Sequence, residues 1–415
     1  MRLDISDLTV LAGTNSSGKS SIIQALLLLK QTLNSSSSEM LNLNGPFVYA
    51  NSLIDLIHNQ KGGSMSFSFE LTKNELIDTA IQNYGNESDE DVDKLLLSVS
   101  FKVKTDGSYI VSEFFLLLIL SNGRNIERQL IWRPVKKVYD LIEDGKTLKN
   151  ITIDSYSFVN FFPVFVKYDD NSLDLSIMKA ARETFISILE KIAYIAPHRV
   201  APVLSRSYQT DVESRFVMPD GENTRFILDR ISKEDKEAFS IVKEWICDKF
   251  HLAHQINVIK DSGKLYRIVV TTDEGVKVDL MHMGFGLSQI LPIITQGSIS
   301  KPGALMIVED PEVHMHPSIQ ASMADFFIFL CNERNINILI ETHSDHFITR
   351  LRRRVAEKVL PSSKVHLIFV ENYDGASEYQ TIPMSDSGRL EGVMPKGFMD
   401  SLDNDFRAIL LANRK

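Results

Sequence analysis

Cysteine is scarce in this 415-residue chain, since Cys247 and Cys331 are the only two. That number is too small for a disulfide framework or a cysteine-based zinc site, so we expect a reducing cytoplasmic location. Long apolar runs are also missing: the most apolar stretch, Phe114 to Leu120, is far shorter than the roughly 20 residues that cross a bilayer. Asp4 and Asp7 precede any apolar run, which argues against a signal peptide. We therefore expect no contact with a membrane.

The chain has no surplus of basic residues, and its formal net charge is -9. This charge argues against a generally basic nucleic-acid coat but leaves a local basic groove open. Four arginines on one predicted helix would form either a ridge that contacts DNA or RNA phosphates or a solvated face near acids: Arg350, Arg352, Arg353 and Arg354. Heptads sustained over several turns are absent, so no long coiled-coil arm is expected.

The clearest motif is a phosphate-binding loop. Gly13 to Ser20 reads GTNSSGKS and matches G-x-x-x-x-G-K-[ST] at every fixed position, between an apolar strand, Leu8 to Ala12, and a helical pattern, Ser20 to Leu33. Backbone N–H groups and a helix N-terminus favour a bound anion there. Lys19 is predicted to reach the β- and γ-phosphates of ATP, and Ser20 to ligate Mg²⁺. The predicted nucleotide-binding residues are Gly13, Asn15, Ser16, Ser17, Gly18, Lys19, Ser20 and Ser21.

Two further apolar runs end in polar side chains of the kind that an ATPase needs. Ala304 to Val308 leads into Glu309 and Asp310, and the carboxyl ends of strands in an α/β sheet are where ligands collect. One of these two acids would complete the Mg²⁺ shell with Ser20, and the other would orient the attacking water. The next run, Ile336 to Ile340, precedes His343, which could contact the γ-phosphate. The predicted catalytic residues are thus Asp310, Glu309 and His343.

Two other patterns are less specific. The glycines of Gly284 to Gln289 precede a helical pattern, which suits either an anion or a tight turn. His314 and His316, with Glu309 and Glu312, suggest a metal site, but their spacing beside a proline favours a role in shaping the loop.

Together these motifs resemble the ABC-type ATPase heads of the structural-maintenance-of-chromosomes, RecF and overcoming-lysogenisation-defect group. Glu309 to Pro317 is similar to that group's E-E-P-E-x-H-L-H-P Walker B, Glu341 to Ser344 (ETHS) to its switch-histidine segment, and Gly284 to Gln289 to its degenerate signature. Further matches at 196–199 (APHR) and 395–400 (PKGFMD) indicate a subset of bacterial AAA ATPases with an uncharacterised C-terminal extension. The resemblance covers nearly the whole chain except a β-rich segment.

The resemblance implies an α/β P-loop NTPase with an ABC-type head, a β-rich insertion and a helical lobe that carries the signature. We divide the chain into 1–62 (head with Walker A), 63–190 (β-rich insertion with a helical end), 191–300 (helical lobe) and 301–415 (head with Walker B, switch histidine and C-terminal extension). The resemblance implies that Glu309 belongs to the Mg²⁺ shell with Ser20 and that Asp310 orients the attacking water. Asp310 stands where the group commonly has a glutamate and is one methylene shorter. Hydrolysis is therefore expected to be slow unless Glu312 takes part, and the choice of base between these two acids stays open.

The resemblance also implies a head-to-tail homodimer, or a higher oligomer, in which Gly286 and Ser288 of one copy contact ATP held by another. The leading prediction is an ATP-binding and ATP-hydrolysing protein that dimerises on ATP and regulates a partner effector in anti-phage defence. About 70 residues follow Ser344, too few for the nuclease domain of the overcoming-lysogenisation-defect nucleases, so the effector is expected to act in trans.

Two alternatives remain. A RecF-like ATPase would act directly on DNA in repair and would bind it in a salt-dependent way. A transporter ATPase subunit is less favoured, because the chain has a large β-rich insertion and lacks a clean L-S-G-G-Q signature.

Overall fold

The computed structural model describes most of the chain, including every residue of the predicted ATP site. Of the predicted match at 395–400, only Pro395 and Met399 are among the described residues. The described residues are 3–5, 7–37, 39–57, 63–86, 90–148, 151–152, 158–164, 167–168, 171–172, 176–200, 215–260, 266–373, 376–392, 395 and 399.

Strands occur along the whole of the described chain. In chain order they are β1 (Leu8–Gly13), β2 (Ser64–Thr72), β3 (Val92–Val103), β4 (Tyr109–Leu120), β5 (Asn125–Arg133), β6 (Val138–Glu143), β7 (Lys146–Leu148), β8 (Ile151–Thr152), β9 (Phe158–Val159), β10 (Phe162–Pro163), β11 (Lys167–Tyr168), β12 (Asn171–Ser172), β13 (Ile192–Ile195), β14 (Gln255–Lys260), β15 (Tyr266–Thr271), β16 (Lys277–Asp279), β17 (Leu305–Glu309), β18 (Asn337–Glu341), β19 (Val365–Tyr373) and β20 (Ala376–Ile382).

The helices lie mainly in the N-terminal segment and the second half of the chain. They are α1 (Lys19–Leu33), α2 (Lys73–Leu76), α3 (Ala80–Asn86), α4 (Ser176–Glu190), α5 (Thr224–Glu234), α6 (Lys236–Lys243), α7 (Phe285–Ile299), α8 (Pro317–Arg334) and α9 (Asp345–Ala356), with short 3-10 helices at Leu53–Leu56, Leu280–His282 and Ser362–Lys364 and a π-helix at Glu244–Lys249.

The chain forms two compact units. Residues 1–23 and 191–415 form the first, which we call the head unit, and residues 24–190 form the second, the insertion unit. One boundary falls inside α1 and the other follows the last residue of α4. The finer division of the sequence into four segments stays a prediction.

The head unit is built on a six-stranded sheet in the order β13-β17-β18-β1-β19-β20. The first five strands are parallel and β20 is antiparallel. Buried parallel strands are continuously apolar because helices cover both faces, and β17 and β18 are buried at nearly every position. β1, β17 and β18 all end at the same edge of the sheet, so the three predicted motifs meet there. The predicted α/β class is confirmed.

The predicted helical lobe also contains strands, and its first helix is broken. The pattern from Arg225 to His251 predicts one helix, but the structure has α5, α6 and a π-helix in this range. Asp235 causes the first break: its side chain accepts a hydrogen bond from Ala238 N and caps α6. β14, β15 and β16 then form a three-stranded antiparallel sheet before α7 begins.

The insertion unit contains a second six-stranded sheet, an antiparallel meander in the order β2-β3-β4-β5-β6-β7. Its strands alternate buried and partly exposed residues, as a sheet with one covered face does. On the covered face, the ring centroid of Phe185 from α4 lies 5.5 Å from that of Phe69 and 6.2 Å from that of Phe162. The predicted β-rich insertion is confirmed.

Candidate functional site

The phosphate-binding loop follows β1 and requires glycine at two positions. Gly13 has a φ of 149°, and a Cβ added there would lie 2.2 Å from the carbonyl oxygen of Val370. Gly18 has a φ of 101°, and its Cβ would lie 2.1 Å from the hydroxyl oxygen of Ser377. Both glycines therefore permit a left-handed backbone and a close approach of the β19–β20 hairpin.

The predicted residues between these glycines form a turn. Asn15 and Ser16 are exposed, and Ser16 is left-handed with a φ of 60°. Ser17 is fully buried, and its hydroxyl has no hydrogen-bond partner among the described residues. Ser21 is exposed in the first turn of α1. The exposed turn and the unpartnered Ser17 hydroxyl are therefore polar groups that a bound anion could contact.

The side chains of Lys19 and Ser20 are already engaged within the site. The ammonium of Lys19 donates to the carbonyl oxygens of Gly13 (3.2 Å) and Thr14 (2.8 Å) and lies 3.7 Å from a Glu341 carboxylate oxygen. Burial lowers the pKa of Lys19, while nearby carboxylates, led by Glu341, oppose that shift. The hydroxyl of Ser20 donates to the two Glu341 oxygens at 2.9 and 3.1 Å. Glu341 is thus the carboxylate nearest to both predicted phosphate-loop ligands.

Glu309 and Glu341 are the last residues of adjacent strands and lie opposite each other in the parallel register. Both are buried. Glu309 accepts a hydrogen bond of 2.6 Å from the hydroxyl of Tyr194. Burial, and then the neighbouring Glu341 and Asp310 charges, raise the pKa of Glu309, although the Tyr194 hydroxyl acts against the shift. Two carboxyl groups so close in a dry site favour a shared proton or a bound cation.

Asp310 has an uncommon backbone conformation at the end of β17. Its φ is 44°, in the left-handed region, and its N–H donates to the Glu341 carbonyl oxygen at 2.9 Å. Its Oδ1 atom is buried and has no hydrogen-bond partner among the described residues. Nearby, Glu312 accepts from the backbone N–H of His343 at 2.5 Å. Oε2 of Glu312 is likewise buried without a hydrogen-bond partner among the described residues. Asp310 and Glu312 therefore each offer one uncommitted carboxylate oxygen, and the other oxygen of Glu312 is held by the backbone.

His343 lies close to two of these acids. Ligand atoms of Asp310, Glu341 and His343 all lie within 4.8 Å of one another. Desolvation, and then the charge of Lys19, lower the pKa of His343. The oxygen atoms of Ser20 and Glu341, with Glu309 opposite Glu341 in the strand register, fit Mg²⁺, which prefers hard oxygen ligands. The unpartnered Asp310 oxygen remains available to accept a hydrogen bond from a water molecule at this edge.

The signature-like segment lies in the same unit. Gly284 is exposed at the N-cap of α7, whereas Ser288 is only 6% exposed. A Cβ added to Gly286 would lie 3.5 Å from the carbonyl oxygen of His314. A second chain would therefore meet Gly284 and Gly286 before Ser288, and the trans contact of Gly286 and Ser288 stays a prediction.

The histidines of the Glu309–Pro317 segment have structural contacts. His316 caps α8 by accepting from Ser318 N, and its ring Nδ1 lies 2.8 Å from the Ser318 hydroxyl. Neither His316 nor His314 belongs to the Asp310–Glu341–His343 group, the one set of potential metal ligands found among the described residues. The geometry thus favours the loop-shaping role over a zinc site.

The arginines of α9 are paired. Arg350 and Arg354 both contact Asp325, at 2.7 and 2.6 Å, Arg353 contacts Glu357 at 2.7 Å, and Arg352 donates to a backbone carbonyl. Ion pairs with neighbouring acids favour the solvated face over a phosphate-binding ridge.

Three residues at the site had no assigned role in the sequence analysis: Glu341, Tyr194 and Arg199. A signal existed for Glu341, because it ends the strand next to Glu309 in a pattern of successive buried strands. Tyr194 lies on β13, far along the sequence from Glu309, and nothing local to it predicts the contact. Arg199 was noted only as part of APHR.

The family model of the AAA ATPase domain matches residues 1–348. The chain belongs to this family. The match confirms the ATPase head predicted from the motifs, and a P-loop ATPase of this kind binds ATP and Mg²⁺. No curated protein matches the sequence.

Several solved structures are similar to the chain. One is an Smc head bound to the C-winged helix domain of ScpA, with 16% identity, 91% of each chain covered and a TM-score of 0.43. Another is the Smc head with an extended coiled coil bound to the C-terminal domain of ScpA from Pyrococcus furiosus, with 13% identity, 99% of this chain and 94% of that chain covered, and a TM-score of 0.43. A third is the SMC head from Thermotoga maritima, with 10% identity, 92% of each chain covered and a TM-score of 0.34.

Among the helices of the described residues, none combines the length and the apolar character needed to cross a membrane.

Proposed function

We propose that this protein is an ABC-type ATPase that hydrolyses ATP, dimerises when ATP is bound and thereby regulates a partner effector. One observation carries the proposal: Lys19, Ser20, Glu309, Asp310 and His343 come from three separate strand ends and meet at one edge of a single sheet. Ligands of open α/β sheets bind at that edge.

The binding step follows from the present contacts of Lys19 and Ser20. Lys19 exchanges its two carbonyl acceptors for β- and γ-phosphate oxygens, which are stronger acceptors because they are charged. The Ser20 hydroxyl and the Glu341 carboxylate, with Glu309 beside them, would hold Mg²⁺. When bound, Mg²⁺ neutralises charge on the phosphates. This assignment adds Glu341 to the predicted metal ligands Ser20 and Glu309.

The hydrolytic step is assigned to Asp310. Its unpartnered Oδ1 can accept a hydrogen bond from the attacking water and orient it, while Glu312 keeps one oxygen on the backbone N–H of His343. Burial lowers the pKa of His343 and so favours the neutral imidazole, which can donate one hydrogen bond to the γ-phosphate. Glu312 also keeps an unpartnered oxygen, Oε2, but its carboxylate is anchored to the backbone through Oε1. We assign Asp310 as the base because it directly follows Glu309 at the end of β17.

Dimerisation and effector control rest on the motif resemblance. The signature of one copy, at Gly286 and Ser288, is proposed to cover ATP held by the other, so that the dimer would form only when ATP is bound. An effector protein of anti-phage defence, acting in trans, is proposed to bind or respond to this dimer. Cys247 and Cys331 are both free thiols, which fits the proposed cytoplasmic location.

Two substitutions test the site. Lys19→Ala is expected to abolish ATP binding, and Asp310→Ala is expected to retain binding but to block turnover. Binding is measured by calorimetry and turnover by phosphate release, with Lys364→Ala as a control, because Lys364 pairs with Asp7 near the start of β1 and β19. Unchanged hydrolysis in both site variants would refute the assignment.

The proposed role is tested by isolating the native complex from its host. A co-purifying protein effector whose activity depends on ATP supports the proposal. DNA alone, bound in a salt-dependent way, would instead support a repair ATPase. The pairing of the α9 arginines gives no reason to prefer that alternative.

A further inference from the structure

A buried arginine connects the end of β17 with the signature helix. Arg199 is 7% exposed, and its guanidinium donates to backbone carbonyls from three segments. Its Nη2 atom reaches the carbonyl oxygens of Glu309 at 2.8 Å and Asp310 at 2.9 Å, its Nη1 reaches Gln289 at 3.4 Å, and its Nε reaches Ala196 at 3.1 Å.

The contact with α7 is made in both directions. The side-chain amide of Gln289 donates to the carbonyl oxygen of Arg199 at 3.4 Å, while the Gln289 carbonyl accepts from the guanidinium. Gln289 lies one residue after Ser288, in the first turns of the helix that begins at Phe285. Arg199 therefore holds the signature end of α7 and not its far end.

The contact with the end of β17 holds the backbone of Asp310, the proposed base. Asp310 is left-handed, and its two backbone groups are both held, the N–H by the Glu341 carbonyl and the carbonyl by Arg199. A non-glycine residue in this conformation is strained and persists only where its surroundings hold it. Arg199 supplies part of that restraint.

The chemistry of arginine suits this task. Its planar fork carries five donors and can bridge several carbonyls at once, which the single ammonium of lysine cannot do with the same geometry. Burial lowers the pKa of Arg199 to about 10, against the charges of Asp310 and Glu312, so the group stays cationic at pH 7. Burying a charge costs free energy, so a neutral side chain would fill this position better if only packing were needed. The hydrogen bonds of the guanidinium are therefore the reason for an arginine here.

We propose that Arg199 is a positioning residue that ties the orientation of Asp310 to the position of the signature turn of α7. This inference rests on the proposed function. When ATP held by a second copy engages the signature, Arg199 transmits the position of that turn to the base beside the chain's own ATP. Each protomer would then link one ATP site to the other through this side chain.

The test uses Arg199→Lys, which keeps the charge, and Arg199→Met, which removes it. In both variants we expect kcat for ATP hydrolysis to fall at least about 10-fold, which corresponds to about 1.4 kcal/mol. ATP-driven dimerisation, measured by analytical ultracentrifugation, should weaken several-fold. The affinity of the monomer for ATP should stay unchanged, because the guanidinium of Arg199 donates to carbonyls of Ala196, Gln289, Glu309 and Asp310, which lie outside the phosphate-binding loop.

Arg334→Met is the matched control. Arg334 also donates to two backbone carbonyls at α7, but at its C-terminal end, Ser298 at 3.1 Å and Ser300 at 3.4 Å. Its loss is expected to lower thermal stability without changing kcat or dimerisation.

Three results would overturn the inference: wild-type kcat and dimerisation in both Arg199 variants, losses that only parallel a loss of ATP affinity, or equal losses in Arg334→Met. A wild-type chain that neither hydrolyses ATP nor dimerises with it would overturn the proposed function, and the inference with it. An active, dimerising wild type with unaffected Arg199 variants would overturn the inference alone.

Discussion

Two buried lysines on the same helix look alike but belong to different units. Lys19 is the first residue of α1 and Lys30 lies in its last turn, and they are 3% and 5% exposed. Each donates its ammonium to two backbone carbonyls, Lys19 to Gly13 and Thr14 and Lys30 to Leu189 and Glu190. Burial lowers the pKa of both.

Their surroundings separate them. Lys19 lies beside an exposed turn. The negative charges of three nearby acids, Glu341, Asp310 and Glu312, act to raise its pKa. Lys30 lies at the C-terminal end of α4, where a cation stabilises the last carbonyls of the helix. A buried lysine is therefore no sign of function by itself; the acids and the open turn beside it are.

The largest expected effect is a difference in ATP affinity between variants of the two lysines. Lys19→Met should weaken ATP binding at least about 100-fold, because it removes charged hydrogen bonds to two phosphates. Lys30→Met keeps a similar stem length and should leave ATP binding unchanged. Calorimetric titration of both variants checks this, and equal losses in the two would show that Lys19 acts through the fold and not through the nucleotide.

A smaller effect is expected at the acid nearest to Lys19 and Ser20. Glu341→Gln keeps the shape of the side chain but removes its charge, so it should lower kcat about 10-fold or more and raise the Mg²⁺ concentration needed for half-maximal activity. The measurement is phosphate release against Mg²⁺ concentration.

Glu378→Gln is the control for this change, since Glu378 is an exposed acid on β20 of the same unit. A Glu341→Gln variant with an unchanged Mg²⁺ dependence would return the metal to Glu309 and Ser20 alone.

The sequence was sufficient for those parts of the head that depend on local patterns. The helix predicted from Ser20 to Leu33 is α1 to within one residue, and the apolar runs at 304–308 and 336–340 are β17 and β18, each shifted by one residue. Continuous apolar runs and a glycine-rich turn lie within a short stretch of sequence, so they can be recognised without knowing which other segments pack beside them.

The sequence did not predict two kinds of feature: a local break in a helical pattern, and contacts between distant segments. The range from Arg225 to His251 keeps a helical spacing of apolar residues, but the local cap at Asp235 interrupts it. The contact of Tyr194 with Glu309 joins residues 115 positions apart, and Arg199 joins β17 to α7. Neither contact leaves a periodic trace, because each depends on which strands become neighbours in the sheet.

The smallest expected effect is a pH-dependent change in the free energy of unfolding that Lys30 causes, because burial lowers its pKa to about 8. Below pH 8 the folded and unfolded chains both carry the proton, so the cost of burying the charge is fully present. As the pH rises from 8 towards 10.5, the folded state releases its proton first, and the free energy of unfolding increases. Between pH 7 and pH 9 the gain should be about 1 kcal/mol relative to Lys30→Met. Denaturant unfolding can be followed through Trp132 in a Trp245→Phe background, where Trp132 is the remaining tryptophan of the insertion unit. Parallel stability profiles for the two chains would mean that Lys30 keeps an ordinary pKa, and that the end of α4 receives a solvated cation.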